Sequence, residues 1–307
     1  MEKIPYTKPS FSAEQHLALL QQRGLIVSNP DHVLHFLKFI GYYRLSGYAL
    51  PFQICEENFA RSKHTFKSGT TFEMILDLYI FDRELRLIVM DAIERVEVAV
   101  RACIANSMCE SYGAHWFMDS AHFGAGFDHS QFISDLKSEM KLDGNGELPK
   151  SKDVFLRHYF QKYSAPELPP SWMISEILTI GKWSILYKHI RPITDQAMIS
   201  GKFGINYKIF TSWLHSLTYL RNLCAHHSRL WNRRFAIHPR IMESYRMHME
   251  PNHTFCAQAV MLHILLKRIA TDSHWAVRLS GLMAKHPAVP IEGMGFKVGW
   301  EKDPFWI

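Results

Sequence analysis

The segment from Thr71 to Met108, "TFEMILDLYIFDRELRLIVMDAIERVEVAVRACIANSM", constrains this chain more than any other. Its apolar positions Ile75, Leu78, Phe81, Leu85, Ile88, Ala92, Val96 and Ala99 recur at intervals of three and four, which lays one apolar stripe along a helix. A helix of that length draws most of its stability from burying the stripe, so other helices must pack around it. Nowhere in the chain does the period-two alternation of a half-buried strand rise above noise, and there is no internal repeat or low-complexity tract. The expected class is all-α, a helical bundle.

Shorter helices are punctuated on either side. "SAEQHLALLQQRGL" opens on a serine N-cap followed by a Glu-Gln pair and closes at Gly24. "NPDHVLHFLKFIGYYRLSGYALPF" opens on the capping cluster Asn29-Pro30-Asp31, sets Val33, Leu34, Leu37 and Ile40 on one face, and breaks near Gly41 and Gly47. From Tyr112 to about 170 the pattern loosens: Gly, Pro and His accumulate, "KLDGNGELPKSKD" reads as an exposed loop, and a short helix is expected over Gln131 to Lys141. "PSWMISEILTIGKWSILYKHI" reads as one helix between Pro170 and Pro192. In "NYKIFTSWLHSLTYLRNLCAHHSRLW" the positions Trp213, Leu217, Leu220 and Cys224 repeat at four, three and four. "HTFCAQAVMLHILLKRIA" and "DSHWAVRLSGLMAKH" follow, then a tail whose Phe296, Trp300, Phe305 and Trp306 predict docking on the body.

Composition narrows the function classes. Among 307 residues, 35 Lys and Arg against 29 Asp and Glu leave a net charge of +6, a mild lean toward an anionic partner. Five cysteines, Cys55, Cys103, Cys109, Cys224 and Cys256, are odd in number and form no CxxC, which indicates a reducing compartment and disfavours a zinc site. "MEKIPYTKPS" holds no apolar signal core, and the best apolar run, "AQAVMLHILLKRIA", is too short and interrupted to span a bilayer. A cytoplasmic, soluble protein without membrane segments is expected.

The chemistry concentrates in "YLRNLCAHHSRLWNRR", Tyr219 to Arg234. On a helix Arg221 and His226 point about 140° apart, while Asn222 and His226, four residues apart, share a face, so Asn222 is placed to orient the His226 ring. A permanently charged guanidinium that grips phosphate oxygens, beside an imidazole that moves a proton near neutral pH, suffices to cleave a phosphodiester by attack of a ribose 2′-hydroxyl. That route requires no metal and no cofactor. Arginine with histidine five residues on also arises by chance, and a second match, Arg233 to His238, stands in "RRFAIHP", directly before Pro239. Arg229, Arg233 and Arg234 would form a phosphate track, and Cys224 falls in the apolar stripe as a core thiol.

"LHSLTYLRNLCAHHSRLWNR" resembles the R-N-x-x-x-H signature of the HEPN superfamily, and specifically the Abi-like (abortive infection) family. "FIGYYRLSGYALPF", "LYIFDRELRLIVMDAIERVEVAVR", "YGAHWF", "ILTIGKWSILYKHI" and "MGFKVGWEKDPFW" resemble that family's blocks in the same order, over nearly the whole chain. The resemblance implies a HEPN-type bundle over residues 71–286 with a loop-rich insertion at about 112–170, an N-terminal helical region over 1–70, and a docked tail over 287–307. It further implies a metal-independent endoribonuclease of phage defence or toxin type that leaves a 2′,3′-cyclic phosphate. Arg221 and His226 would be the catalytic pair, with Asn222 and His227 in support. RNA as substrate, a homodimer with a composite site, and a small-RNA or protein antitoxin are the implied partners. The alternative from another class is a HEPN-like module that binds RNA or protein without cutting.

Other polar groups carry less. Asp82, Glu84, Arg86, Asp91, Glu94, Arg95, Glu97 and Arg101 read as a solvated or internally paired helix face, with Glu94, Arg95 and Arg101 able to face the motif helix. His115, His122, His129 and His158 show no HxxxH spacing. Tyr42, Tyr43, Arg44 and Tyr48 would either stack on bases or serve core and cap roles.

Overall fold

In a computed structural model, which describes residues 5–6, 9–54, 64–140, 153–270 and 272–307, all regular structure among those residues is helical. The all-α class is the one the periodicities predict. Cys55 and all but the last residue of the expected "KLDGNGELPKSKD" loop lie outside the described residues.

One compact unit comprises Met1–Leu85 and Gly281–Pro290. It contains α1 (Ala13–Gln22), α2 (Pro30–Phe39), α3 (Tyr42–Ala49) and the start of α4 (Phe72–Tyr112). At the head of α1, Ser12 Oγ accepts from the Gln15 backbone N–H at 3.2 Å and the Gln15 side chain accepts from the Ser12 N–H at 2.8 Å, a reciprocal capping box. Gly41, at φ +89, separates α2 from α3, a backbone region that side-chain-bearing residues disfavour. Gly47, by contrast, lies inside α3. Tyr42 accepts from Arg23 at 2.7 Å and stacks on His16 at 4.2 Å, and the buried Tyr48 hydroxyl donates to Asp82 Oδ2 at 2.7 Å. These two tyrosines therefore hold α1, α3 and α4 together, while Tyr43 stands exposed.

The second unit, Arg86–Ser280 with Ile291–Ile307, holds the remainder of α4, an unbroken helix of 41 residues whose Val89, Ala92, Ile93, Val96 and Val100 are fully buried. Next come α5 (His129–Glu139), α6 (Val154–Lys162), α7 (Ser171–Ile174), α8 (Ile180–His189), α9 (Ile193–Gly201), α10 (Tyr207–Ala225), α11 (Arg246–Met249), α12 (Phe255–Ile269) and α13 (Trp275–Lys285), whose last turn belongs to the first unit. Every residue of α12 from Phe255 to Leu266 is buried, which makes it the core helix of this unit.

One local expectation is corrected, and two helices, α9 and α6, were not marked by any sequence pattern. The helix expected between Pro170 and Pro192 is two, because Thr179 adopts extended backbone and its side chain caps the start of α8. Helix α9 carries no apolar stripe of its own, since three of its four buried residues are polar. Asp195 accepts from the Tyr112 hydroxyl at 2.7 Å, and Gln196 donates to the Lys188 and Ile190 carbonyls at 3.0 and 2.9 Å. Helix α6 buries only Leu156 and Tyr159, too little periodicity to stand out in sequence.

The tail docks on the second unit. Phe296, Trp300 and Trp306 are buried, with ring centroids 4.6 Å apart for Phe296 and Trp300 and 5.1 Å for Trp300 and Trp306. On α12, the His263 imidazole hydrogen-bonds the Phe305 carbonyl at 2.8 Å, and Lys267 donates to the same oxygen at 3.1 Å.

Candidate functional site

Helix α10 is built to present one end. Phe210, Trp213, Leu214, Leu217, Leu220 and Cys224 are buried along one side, and the Ser216 hydroxyl donates to Gln258 of α12 at 2.9 Å within the core. His215, Asn222 and His226 point outward on the other side.

The helix stops at Ala225 and does not run on to Trp231 as the pattern predicts. The His227 N–H donates to the Cys224 carbonyl at 2.9 Å and the Ser228 N–H to the Leu223 carbonyl at 2.8 Å, the two bonds of a Schellman closure. That closure needs a left-handed residue at the position His227 occupies, and His227 has φ +54. Glycine is the usual occupant. A residue with a Cβ gives up about 1–2 kcal/mol there, although histidine is among the side chains that tolerate the region best. The two motif histidines thus diverge: His226 sits at the cap with its backbone still bonded to the Asn222 carbonyl at 3.0 Å, and His227 turns out of the helix.

The half-buried Arg221 donates to the Asn222 side-chain oxygen at 3.4 Å. The Asn222 side chain thus contacts the guanidinium, and no hydrogen bond joins it to the His226 ring. The exposed His226 imidazole makes no hydrogen bond or ion pair with any described residue, so its ring nitrogens stay available to a ligand.

Below the turn lies a residue of the α4 face expected to be solvated or internally paired. Arg86 is buried, at 5% exposure, and its guanidinium donates to the Ser228 carbonyl at 3.3 Å. A charged donor on a carbonyl within the closure pins the backbone that carries His227. Asp82 is likewise buried. The signal was present, since positions 82, 86, 89, 93, 96 and 100 are spaced four, three, four, three, four and continue the core stripe of α4 through two charged residues. Arg101 does not reach α10 in this arrangement; it pairs with Glu97 and donates to the Ser175 carbonyl at 3.4 Å, and Glu94 is exposed.

The arginines after the motif divide. The Arg229 guanidinium lies 5.9 Å over the buried Trp231 ring, and Arg233 Nε donates to the Arg229 carbonyl at 2.6 Å, so both brace the loop while half-exposed. Arg234 is exposed. The second match, Arg233 to His238, is accordingly not assembled as a pair. The loop also meets the tail: a Cβ on Gly293 would lie 2.1 Å from Asn232 Oδ1, an approach that only glycine permits. No Asp or Glu occurs between Asp195 and Glu243, a stretch that contains Lys202, Lys208 and Arg221, Arg229, Arg233, Arg234 and Arg240, which makes the region an anion-attracting one. Among the described residues, no group of three or more His, Cys, Asp or Glu side chains is placed to hold a metal ion, and no helix is long and apolar enough to cross a membrane.

The family model of Abi-like proteins matches residues 35–232, a span that begins in α2 and ends just past the motif turn. No curated protein and no solved structure matches the chain.

Proposed function

The chain belongs to the Abi-like protein family, and on that premise we propose that it is a HEPN-type ribonuclease of abortive infection, cutting RNA without a metal at the closed end of α10. One observation carries the reading. An imidazole with no partner, His226, stands exposed beside the Arg221–Asn222 pair, on a turn held in left-handed geometry and braced from below by the buried Arg86. Backbone strain held in place by its surroundings is a common mark of a working site.

In the proposed reaction the ribose 2′-oxygen attacks the adjacent phosphorus, the bond to the 5′-oxygen breaks, and the products are a 2′,3′-cyclic phosphate and a 5′-hydroxyl. Arg221 holds the non-bridging oxygens and offsets charge in the transition state, with Asn222 fixing its direction. His226 moves a proton at the attacking or the leaving oxygen, and His227 lies on the next residue of the turn as a further donor. One chain carries one R-x4-H at the closed end of α10, so a second copy is proposed to complete a composite site across a twofold axis. RNA is the proposed substrate, and a small-RNA or protein antitoxin the proposed restraint in the cell.

The test is cleavage of single-stranded RNA in EDTA. The expected products carry 2′,3′-cyclic phosphate ends, and Arg221→Ala and His226→Ala each lower the rate by about 10²–10⁴-fold while remaining folded. Products with 3′-hydroxyl ends, or full activity in a folded His226→Ala variant, would sink the mechanism. RNA binding with no cutting by the wild type would leave the non-catalytic module in its place.

A further inference from the structure

The chain that follows the motif turns back along α10. The Tyr219 ring meets Phe235 edge-on at 6.4 Å. One to two turns nearer the start of the helix, the Arg240 N–H donates to Ser212 Oγ at 2.9 Å and its carbonyl accepts from the Trp213 indole at 2.9 Å. Residues 229–240 therefore run antiparallel to the helix from its closed end toward its beginning. Along this path opens a groove lined by Arg234, Phe235, Ala236, His238, Asn252 and His253.

The groove has fixed walls and open tips. The Phe235 N–H donates to the His253 carbonyl at 2.9 Å, Asn252 Nδ2 donates to the Pro239 carbonyl at 3.1 Å, and Phe235 is buried at 1% exposure. The exposed Arg234 and His238 side chains and the half-buried His253 ring have no hydrogen bond or ion pair with any described residue. No carboxylate lines the groove. Three donor-bearing side chains without partners on one groove, two of them (Arg234 and His238) in the acid-free stretch 196–242, fit an anion that supplies several acceptor oxygens.

We propose that this groove is a phosphate subsite for the RNA strand, separate from the Arg221–His226 pair and lying back along α10 from it. The inference rests on the ribonuclease reading. From His226 back to Tyr219, which marks the level of Phe235, is about 10 Å of helix rise, so the strand that reaches the pair would lay a phosphate within a few nucleotides of the cut into the groove. Such a contact positions the strand without reading its bases. The Arg233–His238 match thereby acquires a meaning other than a second catalytic pair: Arg234 and His238, four residues apart, face one groove.

The experiment uses the full chain and a fluorescent single-stranded oligonucleotide with every 2′-hydroxyl methylated, which cannot be cut by 2′-oxygen attack. Binding is read by anisotropy across a salt series, with 5′-AMP as a competitor arm. Arg234→Ala, His238→Ala and His253→Ala are each expected to weaken binding about threefold to tenfold. Arg234→Ala should also reduce the slope of log affinity against log salt by about 0.7, the loss of one phosphate contact on a single strand, and Arg234→Lys should restore it. On cleavable RNA the same variants should raise KM and leave kcat within about twofold, which distinguishes the groove from the catalytic pair.

Unchanged affinity and salt slope in a folded triple variant, or no binding by the wild type, overturns the groove. Displacement of the oligonucleotide by 5′-AMP at equal concentration overturns the strand-holding role in favour of a free-nucleotide site. Groove-dependent binding by a wild type that cuts no RNA overturns the ribonuclease reading and keeps the subsite.

Discussion

His227 holds a conformation that its chemistry does not favour. At φ +54 it closes α10 where glycine would do so with less strain, and the Arg86 contact with Ser228 keeps the turn in place. Strain kept by the surrounding structure suggests that the side chain is needed more than the stability it costs. His227→Gly relieves the left-handed penalty and gives back part of it through the larger entropy of the unfolded chain. The backbone contribution alone is a gain of a few tenths to about 1 kcal/mol in urea unfolding, and RNA cleavage is expected to fall at least tenfold. A variant less stable than wild type would show that the imidazole anchors the turn, and one with full activity would remove His227 from the site.

Among the elements, α12 and the tail form a pairing sensitive to pH. The His263 ring is enclosed by Phe305 at 5.0 Å, Trp306 at 5.2 Å and Trp275 at 6.5 Å, and burial pulls its pKa down to about 4, with Lys267 adding to the depression. In the unfolded chain the ring takes up a proton near its ordinary value of 6.5. Because the folded form resists protonation, stability is complete above about pH 6.5 and declines as pH falls toward 4, by about 1.4 kcal/mol per unit and roughly 3 kcal/mol in all. Urea midpoints measured from pH 7.5 to 4.5 should show this fall in the wild type and a flatter profile in His263→Gln, whose amide still donates toward Phe305. Parallel profiles would mean that the ring is not buried as described. Removing Trp306 should expose the same ring and lessen the same pH dependence.

For the molecule as a whole, the proposed site has a consequence for assembly. A single R-x4-H at the end of α10 in each chain, in a stretch rich in arginine, calls for a second copy to supply the other half of the proposed composite site. Light scattering on an active sample is expected to give twice the 35.8 kDa of one chain, and an excess of folded His226→Ala chains should poison the wild type by forming mixed dimers. A fully active species of one chain mass would defeat the composite site and leave the geometry of α10 to act alone.

The helical period by itself determined the class, because apolar residues at intervals of three and four cannot place their stripe on a strand. Local chemistry likewise determined the head of α1, where Ser12 and Gln15 cap each other, and the buried register of Trp213, Leu217, Leu220 and Cys224 on α10. The burial of Asp82 and Arg86 follows the same register, and of the two readings open for that charged face, solvated or internally paired, the tertiary structure decides for the second by supplying the Tyr48 hydroxyl and the Ser228 carbonyl that make burial tolerable. Where α10 ends was hidden for a related reason: its closure uses a histidine where glycine would announce a stop. The polar helix α9 depends on Tyr112 and on carbonyls of residues 188 and 190, and the groove depends on His253 meeting Phe235. Contacts between residues distant along the chain leave no period in a sequence, so the tertiary structure alone decided which donors stand together without partners.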